Sequence, residues 1–161
     1  MISGWHITHL PIWVAGRERP WRTVEDVVVN WDDLSIEGFL LPRRPFYALF
    51  VPCGPEARVT NVGVEIARRS LVERRPRSWR REVVGRQKRL KNLLVVDTLG
   101  ILQGRFRDYL FDEKSLKVTH LVVSRGVLGD LISGALVVPM QEVLEIAGDR
   151  IKIYAPGEPF L

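Results

Sequence analysis

Apolar and polar residues along this chain change places in short runs, broken by polar or proline-containing turns, which is the pattern of short β-strands with few helices. Residues 26–41, DVVVNWDDLSIEGFLL, predict two strands around a polar turn at residues 30–35. Residues 108–123, DYLFDEKSLKVTHLVV, predict the same arrangement and align with the first stretch without a gap at an offset of 82. Asp26 falls over Asp108, Val28 over Leu110, Leu34 over Leu116, Ile36 over Val118, and Phe39, Leu40 and Leu41 over Leu121, Val122 and Val123. Side-chain character is kept more than identity, as in an old internal duplication.

The repeat extends to both sides. Ile12, Trp13 and Val14 lie over Leu94, Val95 and Val96 at the same offset of 82, so they are the expected first strand of repeat one. From Val51-Pro52 the offset becomes 87, with Val59 over Ile146, Val64 over Ile151 and Ile66 over Ile153. The five added residues of repeat two fall between Arg125 and Leu136, where Gly126, Gly129 and Gly134 mark a loop. The strands expected in repeat two are residues 93–97, 105–112, 117–124, 136–138, 142–146 and 151–154.

Residues 67–92 belong to neither repeat. Trp79, Val83, Leu90 and Leu94 recur at helical spacing, Ser78 is the expected cap, and Pro76 bars a longer helix. A short amphipathic helix follows. The expected organisation is therefore all-β: two small, partly open antiparallel β-barrels, residues 1–66 and 93–161, joined by an Arg-rich helical linker at 67–92. The tail APGEPFL is expected to be loose, with Phe160 able to dock on a neighbour.

Charge adds one feature to this picture. The net charge is +5, yet residues 68–91 hold eleven Lys or Arg against two Glu, so the rest of the chain is acidic. This segment has three readings: a phosphate-binding stretch in which Trp79 stacks a base, a contact for an acidic protein or lipid surface, or a solvated or intramolecular helix. Cys53 is the only cysteine, which excludes an internal disulfide and a thiolate metal cluster. No apolar run approaches the ~20 residues of a membrane span and the N-terminus lacks the features of a signal peptide, so a cytoplasmic location is expected.

Repeat two, VVDTLGILQGRFRDYLFDEKSLKVTHLVVSRGVLGD followed by VVPMQEVLEIAGDRIKI, resembles the PRC-barrel family. The resemblance rests on Gly104-Arg105 leading into Asp108, on Leu110–Asp112, on the VVSRG run ending at Gly126, and on Val138-Pro139. It covers residues 93–154 and, through the repeat, residues 9–66 more faintly. It implies a small antiparallel barrel that serves as a docking module and carries no catalytic motif. The family takes its name from the photosynthetic reaction centre, whose H subunit carries this module on its cytoplasmic side, and the small-subunit ribosome maturation factor has a similar C-terminal barrel.

Candidate chemistry is sparse. His6 and His9 form an H-x-x-H, but residues three apart on a strand face opposite sides, so no metal site is expected. The loop at residues 124–134 has spaced glycines without the Gly-Lys-Ser/Thr of a P-loop or the G-x-G-x-x-G of a dinucleotide site, so no cofactor is expected. The aspartates sit beside turns, where they hydrogen-bond the backbone, and no catalytic residue is expected. The reading is a non-enzymatic adaptor that binds a protein partner through Arg125, Leu128 and Asp130 on the inserted loop and Arg80, Arg81 and Arg86 on the linker. The alternative is an RNA- or ribosome-associated factor that binds through residues 68–91. A homo-oligomer is compatible with both.

Overall fold

A computed structural model describes residues 1–155; the tail beyond, with the expected docking of Phe160, lies outside the described residues. The chain runs β1 (Ile2–Ser3), α1 (Gly4–Ile7), β2 (Pro11–Val14), β3 (Arg22–Thr23), β4 (Asp26–Asn30), β5 (Ser35–Leu40), β6 (Ala48–Pro52), β7 (Ala57–Thr60), β8 (Gly63–Ile66), β9 (Glu73–Arg75) and α2 (Arg77–Leu90). It continues with β10 (Leu94–Asp97), β11 (Leu102–Phe111), β12 (Val118–Ser124), α3 (Val127–Ser133), β13 (Leu136–Pro139), β14 (Val143–Ile146) and β15 (Arg150–Ile153). The protein is mostly β, and among the described residues none of its sheets closes on itself. Among the described residues no helix is long and apolar enough to cross a membrane.

The chain forms two compact units: Met1–Val84 with Phe111–Val118, and Gly85–Leu110 with Thr119–Leu161. In the first, one sheet has the order β3-β2-β8-β7 and another β4-β5-β6-β9. In the second, the order is β13-β12-β11-β10-β15-β14. The long strand β11 corresponds to β3 and β4 together, and β5, β6, β7 and β8 correspond to β12, β13, β14 and β15, so both repeats place their strands in one order. Each also contains one parallel pair, β2 with β8 and β10 with β15, where antiparallel pairing throughout was expected. The closing hairpin reaches the far side of the first strand by a crossover, which allows parallel neighbours.

The register corrects the alignment of the first strand. Ile12 pairs with Val64, and Val95 pairs with Ile151, the residue 87 positions after Val64. Ile12 therefore corresponds to Val95, at an offset of 83, and both are fully buried. The offset of 82 puts half-buried Trp13 over buried Val95, and a one-residue slip of that kind turns every side chain to the wrong face. The entry to each strand confirms the pairing. Val24 donates to Leu10 at 2.9 Å and Phe106 to Leu93 at 2.8 Å; His9 and Asn92, both at positive φ, donate back to Val24 and Phe106. The loop after β2 is one residue longer than the loop after β10, which absorbs the difference.

Within the first unit the two turns of the repeat meet. Asp33 and Asp112 accept backbone N–H groups two or three residues ahead, as turn aspartates do, and Leu34 and Leu116 adopt φ of 59° and 56°. Ile36 donates to the Leu116 carbonyl and Val118 to that of Leu34, each at 2.8 Å. These two bonds exchange residues 82 apart, so the pairing is reciprocal.

The basic segment is built into the first unit as far as Val84. β9 adds to the edge of β6, with Phe50 opposite Glu73 and Ala48 opposite Arg75. α2 starts directly after Pro76, one residue before the expected cap Ser78, because proline fixes a helix-compatible φ and needs no N–H partner. Its Trp79, Val83 and Val84 cover Val28, Leu40, Ala48 and Phe50, and the Trp79 ring meets that of Phe50 edge-on at 5.2 Å. Such an aromatic pair contributes about 1 kcal/mol beyond the area it buries. The core beneath is Val27, Phe39, Val51, Val64 and Ile66 in this unit, and Val95, Phe106, Leu121, Val123, Val138, Ile151 and Ile153 in the other.

Candidate docking surface

In the second unit the five inserted residues allow the loop after β12 to form a helix instead of open coil. Gly126 and Gly134, with φ of 91° and 74°, bound α3 at its two ends, and left-handed backbone of this kind favours glycine. Asp130 fixes the helix to the strand: it accepts the Ser124 hydroxyl at 2.5 Å and the Arg125 N–H at 2.9 Å, and Arg107 stands 3.8 Å away. The Ser124 hydroxyl, the Arg125 N–H and the two arginines together hold the Asp130 carboxyl below its ordinary range, against a smaller opposing effect of burial. The Gly126 N–H is taken by Ser124 Oγ at 3.2 Å. Two amides that a glycine-rich loop could offer a phosphate, those of Arg125 and Gly126, are thus turned onto the protein's own groups.

With Asp130 held inward, α3 turns its apolar side chains outward. Val127, Leu128, Leu131 and Ile132 are 79, 75, 77 and 85% exposed. At spacing i, i+1, i+4, i+5 they form one continuous apolar face, a larger exposed patch than scattered surface residues make. Beside it lies a groove of about 360 Å³ lined by Asn92, Gly104, Arg105, Arg107, Ser124 and Arg125. Gly104 sets its floor: at φ 147° a Cβ there would stand 2.3 Å from the Ser124 carbonyl oxygen. Arg105 donates to the Asn92 carbonyl at 3.1 Å and so is oriented along the wall.

Of the residues expected to dock a partner, Arg125, Leu128 and Asp130 come together here. Arg125 and Leu128 are exposed, while Asp130 serves as the anchor of the helix. Arg80 lies in the first unit and pairs with Glu25 at 2.7 Å, mostly buried. Arg81, in the first unit, and Arg86, in the second, are exposed on α2. Sequence reasoning missed Val127, Leu131, Ile132, Arg105 and Arg107. The apolar spacing of the first three was a usable signal, hidden by the glycines around them.

Much of the basic segment is occupied internally. Arg68 pairs with Glu56, Arg69 stacks on Trp21 at 5.2 Å, Arg74 on Tyr47 at 4.7 Å, and Arg75 pairs with Glu73 and stacks on both Phe50 and Trp79. Trp79, which the RNA reading would use as a stacking platform, is packed on the sheet. Cys53 is half-buried, and its burial pushes the thiol up to about 12, so it stays protonated at neutral pH. His6 turns its Nε2 to the Asn61 carbonyl at 2.9 Å. A scan against protein-family models finds no match to this chain, and a search of the curated proteins finds none either.

Proposed function

We propose that this protein is a non-enzymatic adaptor of two PRC-barrel-like modules that docks a protein partner on the second unit, through α3 and the neighbouring arginine groove. The observation that carries the reading is α3 itself: four large apolar side chains are held in water by a helix that Asp130 fixes in place. Keeping such a face exposed costs solubility, and a partner that covers it recovers about 1.5–3 kcal/mol for each side chain fully buried. The barrel-module part of the reading is supported by the common strand order of the two repeats.

Site-specific photo-crosslinking tests it. A benzophenone side chain at Ile132 is expected to capture a protein from nuclease-treated lysate of the source cell, while one at exposed Phe46 of the first unit is not. Equal capture at both positions, or capture only of RNA, would refute the assignment. The RNA alternative rests on the remaining exposed cations of α2, including Arg81, Lys88 and Arg89, and requires a strong salt dependence.

A further inference from the structure

The two units share one strand order, but among the described residues only the first has its outer face covered. There Val28, Leu40 and Phe50 are 3, 0 and 4% exposed because β9 pairs with the edge of β6 and α2 lays Trp79, Val83 and Val84 across the face. The corresponding residues of the second unit are Leu110, Val122 and Val137. Val122 and Val137 are cross-strand partners, Leu110 and Val122 are only half-buried, and Val137 is 47% exposed. β13, the counterpart of β6, is the outer strand of its sheet among the described residues, with nothing in the place of β9.

We propose that this bare edge and face receive a strand-then-helix segment of another protein, docked as residues 73–84 dock on the first unit, and that the segment is acidic where residues 73–84 are basic. The inference rests on the docking reading above and names the chemistry of the partner. An outer strand offers unpaired N–H and C=O groups to an added strand, and the apolar face takes alternate side chains and the apolar side of a following helix. The choice of charge comes from one position. In the first unit Arg80 of the helix meets Glu25 at 2.7 Å. Glu25 corresponds to Arg107 in the second unit, so the charge at that position is reversed there.

Arg107 is 70% exposed and stands 3.8 Å from Asp130, a long ion pair that leaves its guanidinium open to a second carboxylate. Arg125 and Arg105 on the groove beside it strengthen the same preference. A second copy of this chain would offer its own β9 and α2, which would set Arg80 against Arg107. Like charges at that point reject it. The expected segment therefore has a short extended stretch, a helix start, an aromatic residue in the place of Trp79, and an Asp or Glu in the place of Arg80.

The test uses the whole protein and two synthetic peptides of residues 71–84, one unaltered and one carrying Arg80→Glu, followed by anisotropy and by amide shifts. The altered peptide is expected to bind with shifts at Val122 and Val137, and the unaltered peptide to bind about 10-fold more weakly or not at all. Arg107→Glu is expected to reverse that order, and Val137→Asp, at an exposed site, to abolish binding without unfolding the protein. Equal binding of both peptides, no binding, or shifts confined to Val28, Leu40 and Phe50 would overturn the proposal. So would self-association of the protein that Val137→Asp removes. Loss of the crosslinked partner on α3 substitution reports on the docking reading separately, because α3 is untouched in these variants.

Discussion

Single residues decide how closely the backbone can pack and how α3 is held. A Cβ on Gly38 would stand 2.2 Å from the Val51 carbonyl oxygen, on the neighbouring strand, so Gly38→Ala is expected to lower stability by about 2 kcal/mol in urea denaturation, with the strands forced apart. Asp130 makes a pH prediction. Its folded value lies below the ordinary 3.8, so the stabilisation it gives α3 is complete above that value and is lost as pH falls through the folded one. The protection of the Arg125 and α3 amides against exchange, relative to the unfolded chain at the same pH, is expected to be unchanged from neutral pH down to about 5 and to fall in stronger acid. Asp130→Asn is expected to accelerate the same amides at neutral pH. At Cys53 the raised thiol predicts slow labelling by a maleimide in the folded protein and fast labelling in denaturant, which a timed mass measurement would check.

Elements were legible in the sequence where packing gave them a period. The hairpins at residues 26–41 and 108–123 could be read because two apolar runs flank a polar turn, and the two copies support each other. The first strand was read one residue out of register because Ile12-Trp13-Val14 and Leu94-Val95-Val96 are all apolar, and only the pairing with β8 and β15 says which face is buried. β9 was invisible: Glu73-Arg74-Arg75 has no strand propensity and pairs because the edge of β6 is there to receive it. α3 was hidden because its glycines are also loop residues, and the helix exists through a side-chain anchor that spacing cannot show. For α2 the apolar spacing found Trp79 and Val83. Trp79→Ala is expected to destabilise the protein by about 2–3 kcal/mol, measured by urea denaturation, since it uncovers Val28, Leu40 and Phe50 together.

At the scale of the whole molecule, one repeated strand order has been put to two uses. The first copy takes up the basic segment after it, and in doing so engages Arg68, Arg69, Arg74, Arg75 and Arg80 with acidic or aromatic partners of its own unit. The net charge of +5 therefore overstates what is available to a nucleic acid. The second copy keeps an exposed apolar helix beside an arginine groove, and the account assigns partner binding to that surface. The most direct test is capture from nuclease-treated lysate across a salt gradient, with the natural chain compared with Leu128→Ser/Ile132→Ser, two exposed substitutions expected to leave the urea midpoint unchanged. The expected result is a defined protein that the natural chain retains at moderate salt and the variant loses. Retention of that protein by the variant, or captured material that vanishes with nuclease, would contradict the account.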